Sequence, residues 1–184
     1  HCAVLHPAKL IHGLANAVES LGVEIYENTN IAEYSERLVK TKDQKCSANI
    51  VIRATEGFTS RLKNHRRTLA PLYSYMVATE PLNPRQLSSL GWQNRETYHD
   101  ARNMIIYAQL TKDNRIAFGG RGAPYHFASR VKPEYDTHTE IHEKIIRSMR
   151  DVFQVSQELE ITHRWGGPLG VPRNWKPSVN FDPK

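Results

Sequence analysis

Apolar residues recur at helical spacing near the start of the chain, where Leu10, Ile11, Leu14, Val18 and Leu21 form one stripe. Pro7 suits the first turn of that helix and Gly22 the position just past its end, so a helix is predicted over 7–21. Val23, Ile25 and Ile31, with Tyr26 between them, predict the strand that follows such a helix in an α/β unit. Residues 34–42 are polar and read as an edge strand or hairpin arm returning through 43–45. Ile50, Val51, Ile52 and Ala54 then form a short apolar run, the pattern of a strand covered on both faces. Thr55, Glu56 and Gly57 break it. A small-residue loop at the carboxyl end of such a strand is a candidate ligand contact, set against the plainer reading of a surface turn.

From Arg61 the βαβ rhythm is lost and a strand-rich stretch begins, which places a domain boundary near 62–70. Residues 71–79 alternate bulky and smaller side chains and end at Pro81 and Pro84, as a strand would. A short helix over 83–90 stops at Gly91. Tyr98, residues 104–110 and residues 115–119 read as successive antiparallel strands, with 112–114 as a hairpin turn. Thr137 and Glu140 have capping-box spacing, and Ile141, Ile145, Met149, Val152 and Phe153 continue it as a helix of about four turns. A strand over 159–165 follows. The tail from Gly166 is rich in proline and glycine, with 177–181 as one further strand.

Composition narrows the class without naming an activity. At 184 residues, 39% hydrophobic and 24% charged, the chain has ordinary globular composition and length for one core or parts of two. No apolar run approaches a membrane span. The chain opens on His1, with no Met and no secretory segment, and reads as an internal piece of a longer one. Cys2 and Cys46 have neither CxxC nor zinc spacing, which makes a reducing cytoplasm the expected setting. The net charge of +6 is densest at Arg61, Lys63, His65, Arg66 and Arg67. That run reads as a solvated loop, because a nucleic-acid interface would add a recognisable motif or interleaved aromatics.

Three clusters invite chemistry. Gly119, Gly120, Arg121 and Gly122 would let a backbone approach a ligand, with Arg121 for an anion, although a tight turn explains the glycines more simply. The same weighing applies to Gly166, Gly167 and Gly170 beside Trp165. His138 and His142, four apart, have the spacing of two metal ligands on one helix face, but no third ligand is evident and two exposed histidines are the plainer reading.

Four stretches read together carry a resemblance. They are HPAKLIHGLANAVESLGVEIYENTNI (6–31), IVIRATEGFTSRL (50–62), APLYSYMVATEPL (70–82), and the pair IAFGGRGAPYHF (116–127) and HRWGGPLGVPRNWKPSV (163–179). In this order they resemble the FAD-dependent oxidoreductases of D-amino-acid oxidase and glycine oxidase type, including bacterial members of the gamma-glutamylputrescine oxidoreductase kind. The resemblance implies an α/β (α+β) fold. Residues 1–62 would be part of a Rossmann-like FAD-binding domain, 63–170 a mixed-sheet substrate-binding domain, and 171–184 a return segment.

By the same comparison Ile31, Ala54, Thr55 and Gly57 match backbone positions that run along the FAD. Tyr107, Arg121 and Trp165 match positions lining the substrate pocket, and no residue is marked as a dedicated acid or base. The implied partner is a small amine, oxidised at its CH–NH bond by hydride transfer to the flavin and then hydrolysed as the imine. Two departures qualify this. Where the family places an arginine for a substrate carboxylate, in a W-x-G-x-R-P segment, this chain has Leu169. The GxGxxG segment and a late glycine-rich segment are not in the sequence, so the expected FAD site is incomplete here. The alternative is a non-catalytic remnant or interaction module that keeps the substrate-domain fold.

Overall fold

The computed structural model describes residues 4–100, 105–120 and 125–181. They fall into two compact units, one drawn from His1–Arg53 and Asn180–Lys184, the other from Ala54–Val179.

In the first unit, helix α1 (Pro7–Ser20) forms where the apolar stripe predicts it. His6 caps its start, its Nδ1 accepting from the Lys9 N–H at 3.3 Å, and Pro7 occupies the first turn. The end is a Schellman motif. Gly22, at φ +87°, donates to the Glu19 carbonyl at 2.9 Å, and Val23 donates to the Val18 carbonyl at 3.1 Å. Strands β1 (Glu33–Ser35), β2 (Leu38–Lys40) and β3 (Lys45–Ser47) form a small antiparallel meander, as the polar stretch suggested.

Two expected strands do not form. Val23, Ile25 and Ile31 lie in irregular chain and are exposed, and the run at 50–54 is irregular chain too, with Ile50 70% and Ile52 84% exposed. A strand covered on both faces needs neighbours for its N–H and C=O groups, and none of the described strands pairs with either run.

The second unit is a five-stranded sheet with one helix-covered face. Its strands are β4 (Ala70–Thr79), β5 (Thr97–His99), β6 (Ile106–Leu110), β7 (Ile116–Gly120) and β8 (Ile161–Val171), in the order β5-β6-β7-β4-β8, every pairing antiparallel. Helix α2 (Pro84–Leu90) follows β4, with a full capping box between Asn83 and Gln86 and Gly91 in the left-handed conformation at its end. The β6–β7 hairpin turns through 112–114, where Asn114 takes a positive φ.

Helix α3 (Thr139–Val152) packs Ile145, Ile146 and Met149 against Tyr75, Ile106, Ile116 and Phe118, all essentially sealed from solvent. Its N-cap is His138, not Thr137, because a 3-10 turn over Pro133–Asp136 delays the helix. The His138 N–H is accepted by the His142 ring at Nδ1, 3.4 Å away, in place of the glutamate of a capping box.

The histidine pair is therefore not two exposed imidazoles. His142 is buried, and its Nε2 faces the Trp165 carbonyl at 3.2 Å. A carbonyl only accepts, so Nε2 donates to it, while Nδ1 accepts from the His138 N–H.

β8 holds the second correction. Gly166, Gly167 and Gly170 lie inside an edge strand rather than in a tail, and 177–181 forms no strand. A Cβ on Gly166 would sit 2.4 Å from the Tyr75 ring, and one on Gly170 2.8 Å from the Glu56 backbone. Pro168 is tolerated because β8 has a neighbour on one side only.

Beneath β4 lies an aromatic layer. His126 stacks on Tyr135 with centroids 3.6 Å apart and meets Tyr73 edge-on, while Tyr75 donates its hydroxyl to the Tyr135 carbonyl at 2.7 Å. Burial pushes the Tyr75 phenol up to about 12. Burial first, and then the neighbouring His138, lower the pKa of His126 below its ordinary 6.5.

The unfolded chain therefore binds more protons at this position than the folded one. The stability that depends on neutral His126 is fully present above about 6.5 and is lost as pH falls through the lower folded value. His126→Phe, which keeps the stack, should flatten the decline in urea-unfolding stability between pH 7 and pH 5 relative to the unaltered chain.

Candidate functional site

The two faces of the sheet differ. Tyr73, Tyr75 and Val77 point into the core under α3, while Leu72, Ser74 and Met76 alternate onto a face that is only half-buried. Opposed residues of an antiparallel pair share a face, so the register assembles this open face from all five strands. Trp165 lies opposite Met76, Met76 opposite Gly119, Gly119 opposite Tyr107, and Tyr107 opposite His99. Gly167 lies opposite Ser74, and Leu169 opposite Leu72. Trp165 and Leu169 remain 40% and 41% exposed.

Tyr107 is held in a defined slot. Its ring crosses β7 directly over Gly119, where an added Cβ would lie 2.2 Å from Cε2, and its hydroxyl is hydrogen-bonded to Ser74 Oγ. Gly119 is thus a mid-strand residue that clears a path for an aromatic side chain, and Gly120 pairs with Tyr75 beside it; neither lies in a turn. None of Leu72, Ser74, Met76, Tyr107, Trp165 and Leu169 carries a charge.

Of the residues singled out in the sequence, Tyr107 and Trp165 come to this one face. Arg121 lies outside the described residues. Ile31 sits in the first unit, exposed, immediately before β1. Ala54 is exposed at the start of the second unit, and Thr55 shares a hydrogen bond with Thr59 between their hydroxyls at 2.8 Å.

Gly57 is buried in a 3-10 turn (Glu56–Arg61), where a Cβ would press on Pro168 at 3.0–3.1 Å. Glu56, which the sequence marked only as a strand breaker, takes φ +43°. Its carboxylate accepts from the Gly57 N–H and, at 2.7 Å, from the Gly170 N–H on β8. Ser74 was likewise silent, and Gly119 had been noted for a close backbone approach or a tight turn, not for making room for a tyrosine. The available signal was a serine in the strand alternation and a glycine at a position that faces a tyrosine once the hairpin register is drawn.

The chain belongs to the DAO family of FAD dependent oxidoreductases, whose model matches residues 1–183. It is 27% identical over 172 residues to the "probable oxidoreductase OrdL" of Rhizobium meliloti and 26% identical over 182 residues to that of Haemophilus influenzae. Those alignments cover 91% and 94% of this chain but 37% and 39% of the relatives, so the chain spans about two fifths of their length.

Among solved structures it is similar to glycine oxidase from Geobacillus kaustophilus, with a TM-score of 0.68 at 20% identity over 93% of this chain and 44% of that one. It is also similar to L-proline dehydrogenase from P. horikoshii, with a TM-score of 0.75 at 16% identity over 96% of this chain and 46% of that one. At such identities the likeness is one of fold. Among the described residues, no helix is long and apolar enough to cross a membrane.

FAD is the family's cofactor, and the residues present fit part of it. Gly167, where a Cβ would meet nothing within 4 Å, leaves room between the uncharged side chains of Trp165 and Leu169 for a small substrate or the edge of a ring. A pyrophosphate needs a glycine-rich strand-turn-helix, and the 184 residues contain no GxGxxG.

The clamp between Glu56 and β8 has a measurable consequence. Gly170→Ala forces a Cβ within 2.8–2.9 Å of backbone atoms of Glu56 and Gly57, and should cost roughly 1–3 kcal/mol in urea unfolding. Gly167→Ala, whose Cβ meets nothing within 4 Å, should change stability by less than about 0.5 kcal/mol.

Proposed function

We propose that this chain supplies the substrate side of a flavoenzyme that oxidises amines. The observation that carries this reading is Leu169 on the open face. A side chain that cannot pair with a carboxylate occupies the strand that also presents Trp165, across the sheet from Tyr107. Residues 1–62 are then part of the FAD-binding domain, 63–170 the substrate-binding domain and 171–184 the return segment.

Tyr107 and Trp165 line the substrate pocket in this reading, with Arg121 at its margin, and Ile31, Ala54, Thr55 and Gly57 run along the cofactor. Bound FAD supplies the two-electron oxidising power that removes hydride from the carbon next to nitrogen. The chain's own residues position that C–H bond: Tyr107 fixes the nitrogen end and Trp165 and Leu169 enclose the carbon chain. The setting is a reducing cytoplasm, in keeping with two cysteines that have no disulfide spacing.

A second reading, an interaction module without catalysis, is favoured by the exposed apolar residues Leu10, Ile11, Leu14, Ile50 and Ile52 of the first unit. Flavin that stays with the protein through gel filtration would argue against it.

In a full-length, FAD-loaded version of the protein, anaerobic mixing with matched amines and α-amino acids should bleach the flavin absorption with amines and leave it nearly unchanged with amino acids. Leu169→Arg should move the ratio of kcat/KM toward amino acids by about tenfold or more, the scale of one charge-assisted hydrogen bond. Faster bleaching by amino acids in the unaltered protein would overturn the reading.

A further inference from the structure

The open face has one polar contact at its centre, between Ser74 Oγ on β4 and the Tyr107 hydroxyl on β6. The two strands are not neighbours, since β7 runs between them. The contact exists because Gly119 leaves β7 bare beneath the tyrosine ring. On the other side of Ser74 lies Gly167, and a Cβ there would meet nothing within 4 Å.

Trp165 and Leu169 stand two residues to either side of Gly167 on the same face, about 13 Å apart along the strand at the usual rise. The result is a notch with Gly167 as floor, apolar walls at both ends and the Ser74–Tyr107 pair along one side.

We propose that Ser74 sets substrate preference by accepting the hydrogen bond of the Tyr107 hydroxyl, so that the phenolic oxygen meets the notch as a hydrogen-bond acceptor for a substrate N–H. This inference rests on the amine-oxidising reading and deepens it. Phenols are stronger acids than aliphatic alcohols and hence the better donors, while the aliphatic oxygen is the better acceptor, so the pair is most stable with Tyr107 donating to Ser74. The phenolic oxygen then has only lone pairs to offer the notch. An N–H is welcome there, whereas a carboxylate would face lone pairs and has no cation among Trp165, Gly167 and Leu169. Without Ser74 the tyrosine O–H is free to turn outward and donate to a carboxylate.

The test compares Ser74→Ala, Ser74→Thr and Tyr107→Phe in a full-length, FAD-loaded version of the protein, on an amine and on the α-amino acid that shares its side chain. Ser74→Ala should raise KM for the amine roughly three- to tenfold, on the scale of a neutral hydrogen bond, with kcat little changed, and should narrow the amine preference by a similar factor. Ser74→Thr keeps the hydroxyl and should restore both.

A second readout needs no turnover. The ring resonance of ¹³C-labelled Tyr107, identified by its loss in Tyr107→Phe, should shift in Ser74→Ala and remain in place in Ser74→Thr. An unchanged preference and an unchanged resonance in Ser74→Ala, with preference altered in Tyr107→Phe, would overturn the role of Ser74 and leave the amine site standing. No effect of Tyr107→Phe on either substrate would overturn both.

Discussion

Tyr75 and Gly166 make the close approach on which the sheet unit depends. The tyrosine is fully buried on β4, the strand next to β8, its ring fills the space that a side chain on Gly166 would need, and its hydroxyl is tied to the Tyr135 carbonyl. His142 packs against the same ring with centroids 5.3 Å apart and holds the Trp165 carbonyl next to Gly166. Strand β8 is thereby fixed against β4 from the buried side. Because alternate residues of a strand point to opposite faces, fixing Gly166 inward also fixes Trp165 and Gly167 outward. The geometry of the open face is a consequence of packing on the closed one.

That division of labour also explains the chemistry of each layer. The buried face uses tyrosine and histidine where a simpler core would use leucine, and most of their polar atoms are paired with backbone groups at Lys132, Tyr135, His138 and Trp165. Such bonds specify the position of β8 and the turn over 133–136 more sharply than apolar contact alone. On the open face Ser74 pairs with Tyr107, and Leu72, Met76, Trp165 and Leu169 beside them are uncharged. In the amine-oxidising reading proposed above, that face encloses the substrate, with Leu169 where a partner for a carboxylate would otherwise stand.

What could be read from the sequence was what short-range physics decides. Helix α1 with its glycine stop, α2 between Asn83 and Gly91, the stripe of α3 and the hairpin turn at 112–114 all depend on residues within a few positions of one another. The runs around Val23–Ile31 and Ile50–Ala54 have strand composition, but a strand is completed by a partner, and composition does not supply one. The glycines of β8 looked like a tail because their reasons lie far away, Tyr75 for Gly166 and Glu56 for Gly170. Tyr107 and Trp165 were legible through family resemblance. Ser74 became visible, and the actual reason for Gly119 became clear, only when the register placed them against Tyr107, and Glu56 only when its carboxylate was found on two backbone amides from different elements.

Glu56 has a mechanical meaning as well as a structural one. A side chain that holds the amide of Gly57 with one oxygen and that of Gly170 with the other acts as a rivet between the loop entering the sheet unit and the far end of β8. Anything that wedges Leu169 away from Trp165 pulls on that rivet and drags the loop at 54–57 with it. Strain applied at one edge of the sheet is therefore delivered to a segment more than a hundred residues earlier in the chain, without passing through the hydrophobic core.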